Sequence, residues 1–476
     1  MDSILLKSFL EIPYDELESL NLQSKHNRLH ITPQKAKDYY LNYLEKEKRL
    51  KAVTLGFTDL EGRFHMIDYD KKFFIRSYDN LTFDGSSIRG FSRQAESDLR
   101  LVPDWQAFWW LPSDVFGAGK VLMMGDILDR DSKEYEMDTR TMLKKYLAGL
   151  KKKSFIVQIS NEIEGFLMEG TDAEKKFDET KGFIPASRGG YYHSLPNETL
   201  RNFIDTTAET QRALGFENEK DHPEVAPSQF ELNYSYSEAL IAADQVQLYK
   251  LTARQIARNM GMTATFLPKP ITGINGNGMH TNLSVLSNGK NNFYDKKGQA
   301  QLSDSAWQFI DRILYQASAL SLILNSSVNA YRRLDPHFEA PNEIKVSEID
   351  RGAMIRIPLH NEKSARIEIR SVAPDINPYL ATYCLIRTGF ESESGRKQIQ
   401  KRPRVSFFPS SIQNAIIQFR QSDWTSKLLG EEFKKRYINL KETQAMRCPE
   451  SLGTKVKNPE VLFHHEVYNQ LLWNDF

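Results

Sequence analysis

Five glutamates and one histidine in this chain have the types and spacing of side chains that could line a metal site. They are Glu162, Glu164, Glu224, Glu231, His280 and Glu368. Several lie in segments whose apolar neighbours indicate a buried strand. Burying so much negative charge is unfavourable unless cations neutralise it. The sequence therefore predicts a site that holds two or more divalent metal ions.

The first pair lies in the segment VQISNEIEGFLM. Glu162 and Glu164 are two residues apart, so on a strand both side chains point to the same face. We predict that Ile163 and Phe166 share the opposite face, towards a core. A strand face exposed to solvent would produce the same pair of glutamates, so the pair alone does not establish a site.

Alternation recurs in ARIEIRSVAP, where Arg366, Glu368 and Arg370 occupy one face and Ile367 and Ile369 face inward. An ion-pair ladder on a sheet surface explains this triplet equally well. Guanidinium groups bind carboxylates and phosphates bidentately, so arginines facing a metal site would suit a substrate that carries both groups. Ordinary surface pairing is the alternative for this group, whose members are Arg333, Arg351, Arg356, Arg366 and Arg370.

Two loops complete the pattern. Pro227 and Ser228 interrupt the segment between Glu224 and Glu231, which predicts a bend that returns the second carboxylate to the same cavity. His280 follows the glycine-rich run NGNGM, where glycines allow close approach of the backbone to a ligand. His280 would be a nitrogen ligand among oxygens, although a histidine after such a turn is often structural. Oxygen ligands with one histidine and several arginines predict magnesium or manganese with nucleotide phosphates, and phosphoryl transfer to a carboxylate would fit.

Length and composition indicate a large intracellular globular protein. The chain has 476 residues, of which 40% are apolar, and its 63 basic and 62 acidic side chains nearly cancel. Near neutrality gives no reason to expect nucleic acid or an acidic membrane surface as a partner. With two cysteines, Cys384 and Cys448, a disulfide framework is not expected. We find no signal peptide or membrane-spanning stretch and expect a cytoplasmic protein.

The order of predicted elements divides the chain at residue 130. Residues 1–130 are predicted to form a small α+β domain with leading helices and a hairpin within residues 50–69. Thr32 and Pro33 are typical of a helix start. Residues 131–476 are predicted to form a larger domain of strands and helices, with a sheet that turns one face to a polar cavity. Helices are predicted over residues 33–50, 138–152, 200–214, 237–260, 303–324, 412–423 and 428–443.

Taken together, these segments resemble the class I glutamine synthetases. The resemblance runs from about residue 52 to the C-terminus and keeps the family order of motifs. They are FDGSSIRGF, ESDLRLVPD, EIEGF, RGGYY, HPEVAPSQFE, ATFLPKPITGINGNGMHTNLS, NAYRRLDPHFEAPNEI, RGAMIRIP and RIEIRSVAPDINPYLA. The resemblance implies a β-grasp domain followed by a catalytic α/β domain whose antiparallel sheet lines the active-site funnel. It also implies active sites shared between subunits in a dodecamer of two hexameric rings.

Roles for individual residues follow from motif position. The first metal would be held by Glu164, Glu224 and Glu231, and the second by Glu162, His280 and Glu368. The glutamate substrate would be bound by Asn275, Gly276, Arg333 and Arg370. The nucleotide and its phosphates would be bound by Glu219, Ser284, Arg351, Arg356 and Arg366. Glu339 would close a flap over the site, and Asp84 would reach into the neighbouring subunit to take a proton from ammonium, which Ser87, Tyr191 and Glu224 also hold.

The implied reaction joins ammonia to the γ-carboxylate of glutamate through γ-glutamyl phosphate, using ATP and two or three Mg²⁺ or Mn²⁺ ions per site. Arg93 matches a feedback-sensing arginine, and no adenylylation motif occurs at residues 398–406, so we expect a feedback-inhibited, non-adenylylated type. A second histidine is common in the family where Asn282 stands. A γ-glutamyl ligase for a polyamine or another amine is the rival reading, and a catalytically silent homologue is a third. The retained Asp84, Ser87 and Tyr191 favour ammonia.

Overall fold

The computed structural model describes residues 10–174, 182–194, 198–394 and 406–446. Its first part begins with two helices, α1 (Tyr14–His30) and α2 (Pro33–Lys46). The Thr32 side chain accepts a hydrogen bond from the backbone of Lys35, and proline occupies the first turn of α2, which confirms the predicted helix start. Cys448 and residues 398–405 of the adenylylation segment lie outside the described residues.

A five-stranded sheet follows. Its strands are β1 (Ala52–Thr58), β2 (Phe64–Asp70), β3 (Thr82–Asp84), β4 (Asp98–Trp110) and β5 (Lys120–Leu128). The strand order is β2-β1-β5-β4-β3, with β1 and β5 parallel and the other pairs antiparallel. The predicted hairpin is confirmed, since β1 and β2 pair directly. Two short helices accompany this sheet, α3 (Lys71–Ser77) and α4 (Ser113–Phe116).

The second part is built on a ten-stranded sheet, whose main path has the order β13-β14-β15-β11-β6-β8-β7. Neighbours on this path are antiparallel except β13 and β14. Three further strands pair with β6 or β11. In chain order the strands are β6 (Phe155–Glu169), β7 (Asn218–Pro223), β8 (Gln229–Tyr234), β9 (Ser237–Glu238), β10 (Met262–Thr265), β11 (Met279–Ser287), β12 (Lys290–Asn291), β13 (Glu343–Ser347), β14 (Ala353–Arg356) and β15 (Ile367–Ile369).

Helices pack behind this sheet and around its ends. They are α5 (Thr139–Lys152), α6 (Thr199–Ala213), α7 (Ala239–Asn259), α8 (Asp304–Leu324), α9 (Ala330–Arg333), α10 (Pro378–Glu391), α11 (Ile412–Gln421), α12 (Asp423–Leu429) and α13 (Glu431–Ala445). The predicted helices are confirmed, with ends that differ by a few residues. The segment predicted as 428–443 begins later, at Glu431, because Gly430 adopts a left-handed conformation with φ of +81° that ends α12.

A buried ion network ties the two parts together. Arg140 on α5 is 2% exposed and pairs with Asp104 on β4, Asp126 on β5 and Asp244 on α7. Because each carboxylate meets the same guanidinium, the network offsets the cost of burying these charges. It fixes the first sheet against the helices that support the second.

The prediction that Ile163 and Phe166 share a face was wrong. Ile163 belongs to the main core, whereas Phe166 packs with Met168 and Ala226 in a separate small cluster. Side chains on a strand alternate, so residues three apart must point to opposite faces. Phe166 therefore extends the row of Glu162 and Glu164 rather than opposing it.

Candidate functional site

The candidate site lies on one face of the ten-stranded sheet, where the register places polar side chains side by side. Glu162 on β6 is directly opposite His280 on β11, and Glu164 is directly opposite Glu231 on β8. Directly opposed residues in an antiparallel pair share a face. Four predicted ligands from three separate stretches of sequence thus form one row.

The first cluster contains Glu162, His280 and Glu368. His280 Nδ1 lies 3.5 Å from Glu162 Oε2 and 3.9 Å from Glu368 Oε1. All three can present one ligand atom within 4.8 Å of the others, and all three side chains are buried or half-buried. The structure brings together the whole set predicted for the second metal.

The second cluster contains Glu224, Glu231 and a residue that sequence reasoning missed, His222. The imidazole lies between the carboxylates, with Nδ1 3.6 Å from Glu224 and Nε2 3.7 Å from Glu231. His222 is opposite Glu231 in the β7–β8 register, and it immediately precedes Pro223 and Glu224. This adjacency to a predicted ligand was the signal that could have found it.

Glu164 lies between the two clusters. One of its oxygens accepts a 2.6 Å hydrogen bond from the backbone N–H of Gly278, and the other is 4.0 Å from His280 Nε2. It thus faces both the second cluster, through its partner Glu231, and the first, through His280. The residues between Glu224 and Glu231 form the predicted bend, in which Ser228 has a φ of +64°.

Electrostatics differ between the clusters. Burial, together with the neighbouring Glu164, raises the pKa of Glu224 to about 7. Burial and the surrounding carboxylates of Glu164, Glu162 and Glu224 also raise the pKa of Glu231. Burial opposes ionisation of Glu162 too, but contacts with His280 and Asn282 outweigh it and lower its pKa to about 2. Negative charge is therefore compensated in the first cluster and left over in the second.

Hard oxygen donors, an imidazole nitrogen and excess buried negative charge suit divalent cations such as Mg²⁺ and Mn²⁺. A carboxylate that is neutralised by a bound cation is expected to have a raised pKa when no cation is bound, and Glu224 has such a raised pKa. The residues present therefore fit the metal ions that the sequence predicted, and both clusters could hold one.

Arginines border the first cluster. Arg356 donates to Glu368 Oε2 over 2.9 Å, and Arg370 donates to the other oxygen of the same carboxylate. Arg366 donates through Nε to Asn282 Oδ1 over 3.0 Å. Arg351 is exposed, and its guanidinium is near enough to the Tyr191 hydroxyl for the two groups to interact electrostatically. Within the described residues neither Arg351 nor Arg366 forms an ion pair, so their charges are available to an anionic ligand.

Arg333 lies deeper, 3% exposed, and donates to the carbonyls of Val372 and Arg370. Burial lowers its pKa to about 10. Its side chain packs against the loop that carries Asn275 and Gly276. A Cβ on Gly276 would lie 2.3 Å from the carbonyl oxygen of Pro268 and 3.2 Å from Arg333 Cγ, so no side chain fits there. The glycine-rich loop is therefore closely packed at Gly276, while the predicted approach of its backbone to a ligand stays a prediction.

The predicted flap residue, Glu339, is exposed and has a left-handed conformation with φ of +59°. It follows a short 3₁₀ turn at Pro336–Phe338. The Lys269 ammonium lies 3.7 Å from the centre of the Phe338 ring and also donates to the carbonyl of Ile274. The segment before Glu339 is thus held against the glycine-rich loop by a cation–π contact.

Tyr191 is near Glu224, whose charge acts on it. Its ring stacks on that of Tyr192, with centroids 3.9 Å apart, and its hydroxyl donates to the Tyr192 hydroxyl over 2.9 Å. The Tyr192 ring also meets His222 edge-on at 4.7 Å. Tyr192, which sequence reasoning did not single out, therefore belongs to this wall of the site.

Two predicted residues belong to the first part of the chain instead, Asp84 on its sheet and Ser87 in the 3₁₀ turn that follows β3. Asp84 ends β3, is exposed, and accepts hydrogen bonds from Ser86 and from the Ser87 hydroxyl. These bonds, led by that from Ser86, lower the pKa of the Asp84 carboxyl. Among the described contacts, none joins Asp84 or Ser87 to the clusters of the same chain.

Two of the predicted nucleotide residues, Ser284 and Glu219, lie on different strands of the second sheet. Ser284 is on β11, on the same face as His280 and opposite Gln158 of β6. Glu219 is on β7 and accepts a 2.8 Å hydrogen bond from the Ser235 hydroxyl. The structure thus places both on the second sheet but does not bring Glu219 into either cluster.

Comparison with known proteins decides the family. The model of the glutamine synthetase catalytic domain matches residues 136–452, and that of the glutamine synthetase β-grasp domain matches residues 49–130. The chain belongs to the glutamine synthetase family. It is 34% identical to the glutamine synthetase of Thermus thermophilus over 424 residues, which cover 84% of this chain and 93% of that protein.

Two further relatives give the same result. The chain is 32% identical to the glutamine synthetase of Staphylococcus epidermidis, over 84% of this chain and 92% of that protein. It is also 32% identical to the glutamine synthetase of Clostridium saccharobutylicum, over 83% of this chain and 92% of that protein. The fold is similar to that of the glutamine synthetase of Plasmodium falciparum, with a TM-score of 0.79 over 90% of this chain and 98% of that one at 22% identity. The β-grasp domain and the large catalytic domain of a glutamine synthetase are therefore the architecture described above.

Proposed function

We propose that this glutamine synthetase family member is a glutamate–ammonia ligase that makes glutamine, ADP and phosphate from glutamate, ammonia and ATP. The observation that carries the proposal is the row of two carboxylate–histidine clusters on one sheet face, bordered by arginines of which Arg351 and Arg366 form no ion pair within the described residues. Such a row suits a substrate set that brings a triphosphate and carboxylates to the same place. All six predicted metal ligands are present, which argues against a catalytically silent homologue.

The predicted metal ligands form two sets, one for each divalent ion. Glu162, His280 and Glu368 would hold one divalent ion, and Glu164 with Glu224 and Glu231 another. When bound, these ions supply positive charge that neutralises the phosphates of ATP and the buried carboxylates. We extend the second set to His222, which contacts both Glu224 and Glu231.

Binding and orientation fall to the arginines and the glycine-rich loop. Arg333 and Arg370 would hold the carboxylates of glutamate, and Asn275 and Gly276 its amino end. The phosphate-facing groups are proposed to be Arg351, Arg356 and Arg366, with Glu219 and Ser284 on the nucleotide side. Held in line, the γ-carboxylate of glutamate attacks the γ-phosphorus of ATP, the bond to ADP breaks, and γ-glutamyl phosphate forms.

Ammonium would then bind among Asp84, Ser87, Tyr191 and Glu224. The Asp84 carboxylate would accept a proton from ammonium, and the resulting ammonia displaces phosphate from the acyl carbon. Because Asp84 is exposed on the first sheet, we propose that it completes the site of a neighbouring subunit in a homo-oligomer, with a dodecamer of two rings as the expected state. Glu339 would close the site so that water does not hydrolyse the acyl phosphate.

Two further expectations accompany the proposal. The feedback-inhibited, non-adenylylated type is expected because Arg93 matches a feedback-sensing arginine by its motif position. A cytoplasmic location is expected from composition. Among the described residues, no helix is long and apolar enough to cross a bilayer.

The deciding experiment measures phosphate release from ATP, Mg²⁺ and glutamate, with ammonium compared against putrescine, ethanolamine and no amine. Mass spectrometry identifies the product. We expect turnover that requires ammonium and yields glutamine. Turnover with only an amine would replace the proposal by a γ-glutamyl-amine ligase, and absence of turnover with every acceptor would refute both.

A further inference from the structure

Asn282 lies at the junction between the first metal cluster and an arginine. It is on β11, two residues after His280, and is 6% exposed. Its register partners are Ser160 on β6 and Glu368 on β15, so its side chain shares the face of the site. Its position is thus central in the sheet.

Both halves of the Asn282 amide are used. Nδ2 donates to Glu162 Oε1 over 3.0 Å, and Oδ1 accepts from Arg366 Nε over 3.0 Å. The amide therefore connects a carboxylate of the metal cluster to a guanidinium in a single continuous chain of hydrogen bonds. Buried polar groups that are fully paired hold their neighbours in fixed orientations.

On one side, this connection distinguishes the two oxygens of Glu162. Oε1 is taken by the amide, whereas Oε2 faces His280 Nδ1 at 3.5 Å. Without the amide, the carboxylate could rotate about its last torsion and present either oxygen to a cation.

On the other side, the connection orients Arg366. Its Nε is held by Asn282 and its Nη1 donates to the carbonyl of Ser364 over 3.2 Å. Two bonds fix the plane of a guanidinium. No carboxylate among the described residues pairs with Arg366, so its charge is held in place without being neutralised.

We propose that Asn282 is a positioning residue that couples Glu162 to Arg366, so that binding of a divalent cation and binding of nucleotide phosphate each stabilise the orientation used by the other. The inference rests on the proposed function of this site. Only a side chain with both a donor and an acceptor can serve both neighbours. Aspartate would place a second negative charge beside Glu162, and an aliphatic residue would leave both groups unpaired.

The test compares Asn282→Ala with a matched control, Asn291→Ala. Asn291 is on the adjacent strand β12 and also makes two hydrogen bonds, donating to the carbonyl of Ala365 and accepting from the backbone of Phe293, but it contacts no charged group of the site. Mn²⁺ is titrated into each purified full-length protein without nucleotide, and free Mn²⁺ is followed by electron paramagnetic resonance. Steady-state KM values for ATP and for glutamate are measured in parallel.

We expect Asn282→Ala to weaken Mn²⁺ binding by about tenfold, since removing the partner of a metal ligand has effects of this order. KM for ATP should rise severalfold while KM for glutamate stays within about twofold, because Arg366, proposed to face the phosphates, loses one of the two hydrogen bonds that orient it. Asn291→Ala should change neither. Asn282→His should retain most of the Mn²⁺ affinity, since neutral imidazole offers one donor and one acceptor.

The inference is overturned if Asn282→Ala and Asn291→Ala bind Mn²⁺ alike, or if Asn282→Ala raises both KM values equally. The inference would also be contradicted if Asn282→His loses as much Mn²⁺ affinity as Asn282→Ala. Should the alanine variant not fold, Asn282→Thr, which suits a strand but is too short to span both neighbours, is read in the same way. If the wild-type protein makes no glutamine, the proposed function fails, whereas the Mn²⁺ comparison still tests whether Asn282 positions Glu162 for a cation.

Discussion

Replacing Glu224 by glutamine should stabilise the protein in the absence of metal. The Glu224 carboxyl is buried beside Glu164, and its pKa is raised from an ordinary 4.5 to about 7. A carboxyl with a raised pKa in the folded state is harder to ionise there than in the unfolded chain. Folding is therefore penalised wherever the unfolded chain would ionise this group, and the penalty grows as pH rises from 4.5 to about 7.

The size of the penalty follows from the two pKa values. Proton linkage gives about 1 kcal/mol at pH 5.5 and about 3 kcal/mol at pH 8, where it has levelled off. Glutamine is close in shape and cannot ionise, so Glu224→Gln should be more stable than wild type by these amounts in free energy of unfolding. A bound divalent ion reverses the order, because the neutral amide is a weaker ligand than a carboxylate.

The assay is urea unfolding of the EDTA-treated protein at pH 5.5 and pH 8, repeated with excess Mg²⁺. Glu169→Gln is the matched control, because Glu169 ends the same strand as Glu164 but is exposed. It should change stability little at either pH. The second cluster would not carry uncompensated negative charge if Glu224→Gln leaves the free energy of unfolding unchanged at pH 8. An increase of equal size at pH 5.5 and pH 8 would have the same meaning.

Three other substitutions test separate parts of the site. Arg333→Lys should raise KM for glutamate by tenfold or more and leave KM for ATP nearly unchanged, since an ammonium cannot reproduce two-pronged binding of a carboxylate; equal changes in both values would contradict this. Tyr192→Phe removes the hydroxyl that accepts from Tyr191 and should raise KM for ammonium about fivefold, the value of one hydrogen bond, with kcat retained; a lower kcat at unchanged KM would oppose this role. Asp84→Asn and Glu224→Gln should each abolish glutamine formation, whereas oligomers reassembled from both should recover activity at roughly a quarter of their sites if neighbours share them. Mixtures that stay inactive would place Asp84 outside a shared site.

Much of the site could be predicted from the sequence because strand alternation is a local rule. Glu162 and Glu164 had to share a face once the segment was a strand, and β6 confirms this. The bend between Glu224 and Glu231 was also predicted, since Pro227 and Ser228 cannot continue a paired strand. The prediction for Phe166 was wrong because it did not follow this rule. Ile163 and Phe166 are three residues apart, so on a strand their side chains point to opposite faces.

What could not be predicted depends on register between distant strands. The residues around His222 do not indicate that β7 pairs with β8, and it is this pairing that places the His222 ring between two carboxylates. In the same way, Asn282 and Arg366 are far apart in sequence, and only the β11–β15 pairing brings them together. Single-residue identities carry no information on such pairings, so these contacts had to come from the structure.

The two clusters therefore have different chemistry although they share one sheet face. In the first, Arg356 and Arg370 hold both oxygens of Glu368, so part of the negative charge is already balanced by the protein. In the second, no arginine or lysine of the described chain forms an ion pair with Glu224 or Glu231, and only a buried imidazole separates them. That charge must be balanced by protons or by a cation. The second cluster is thus the part of the site where pH and metal concentration compete directly.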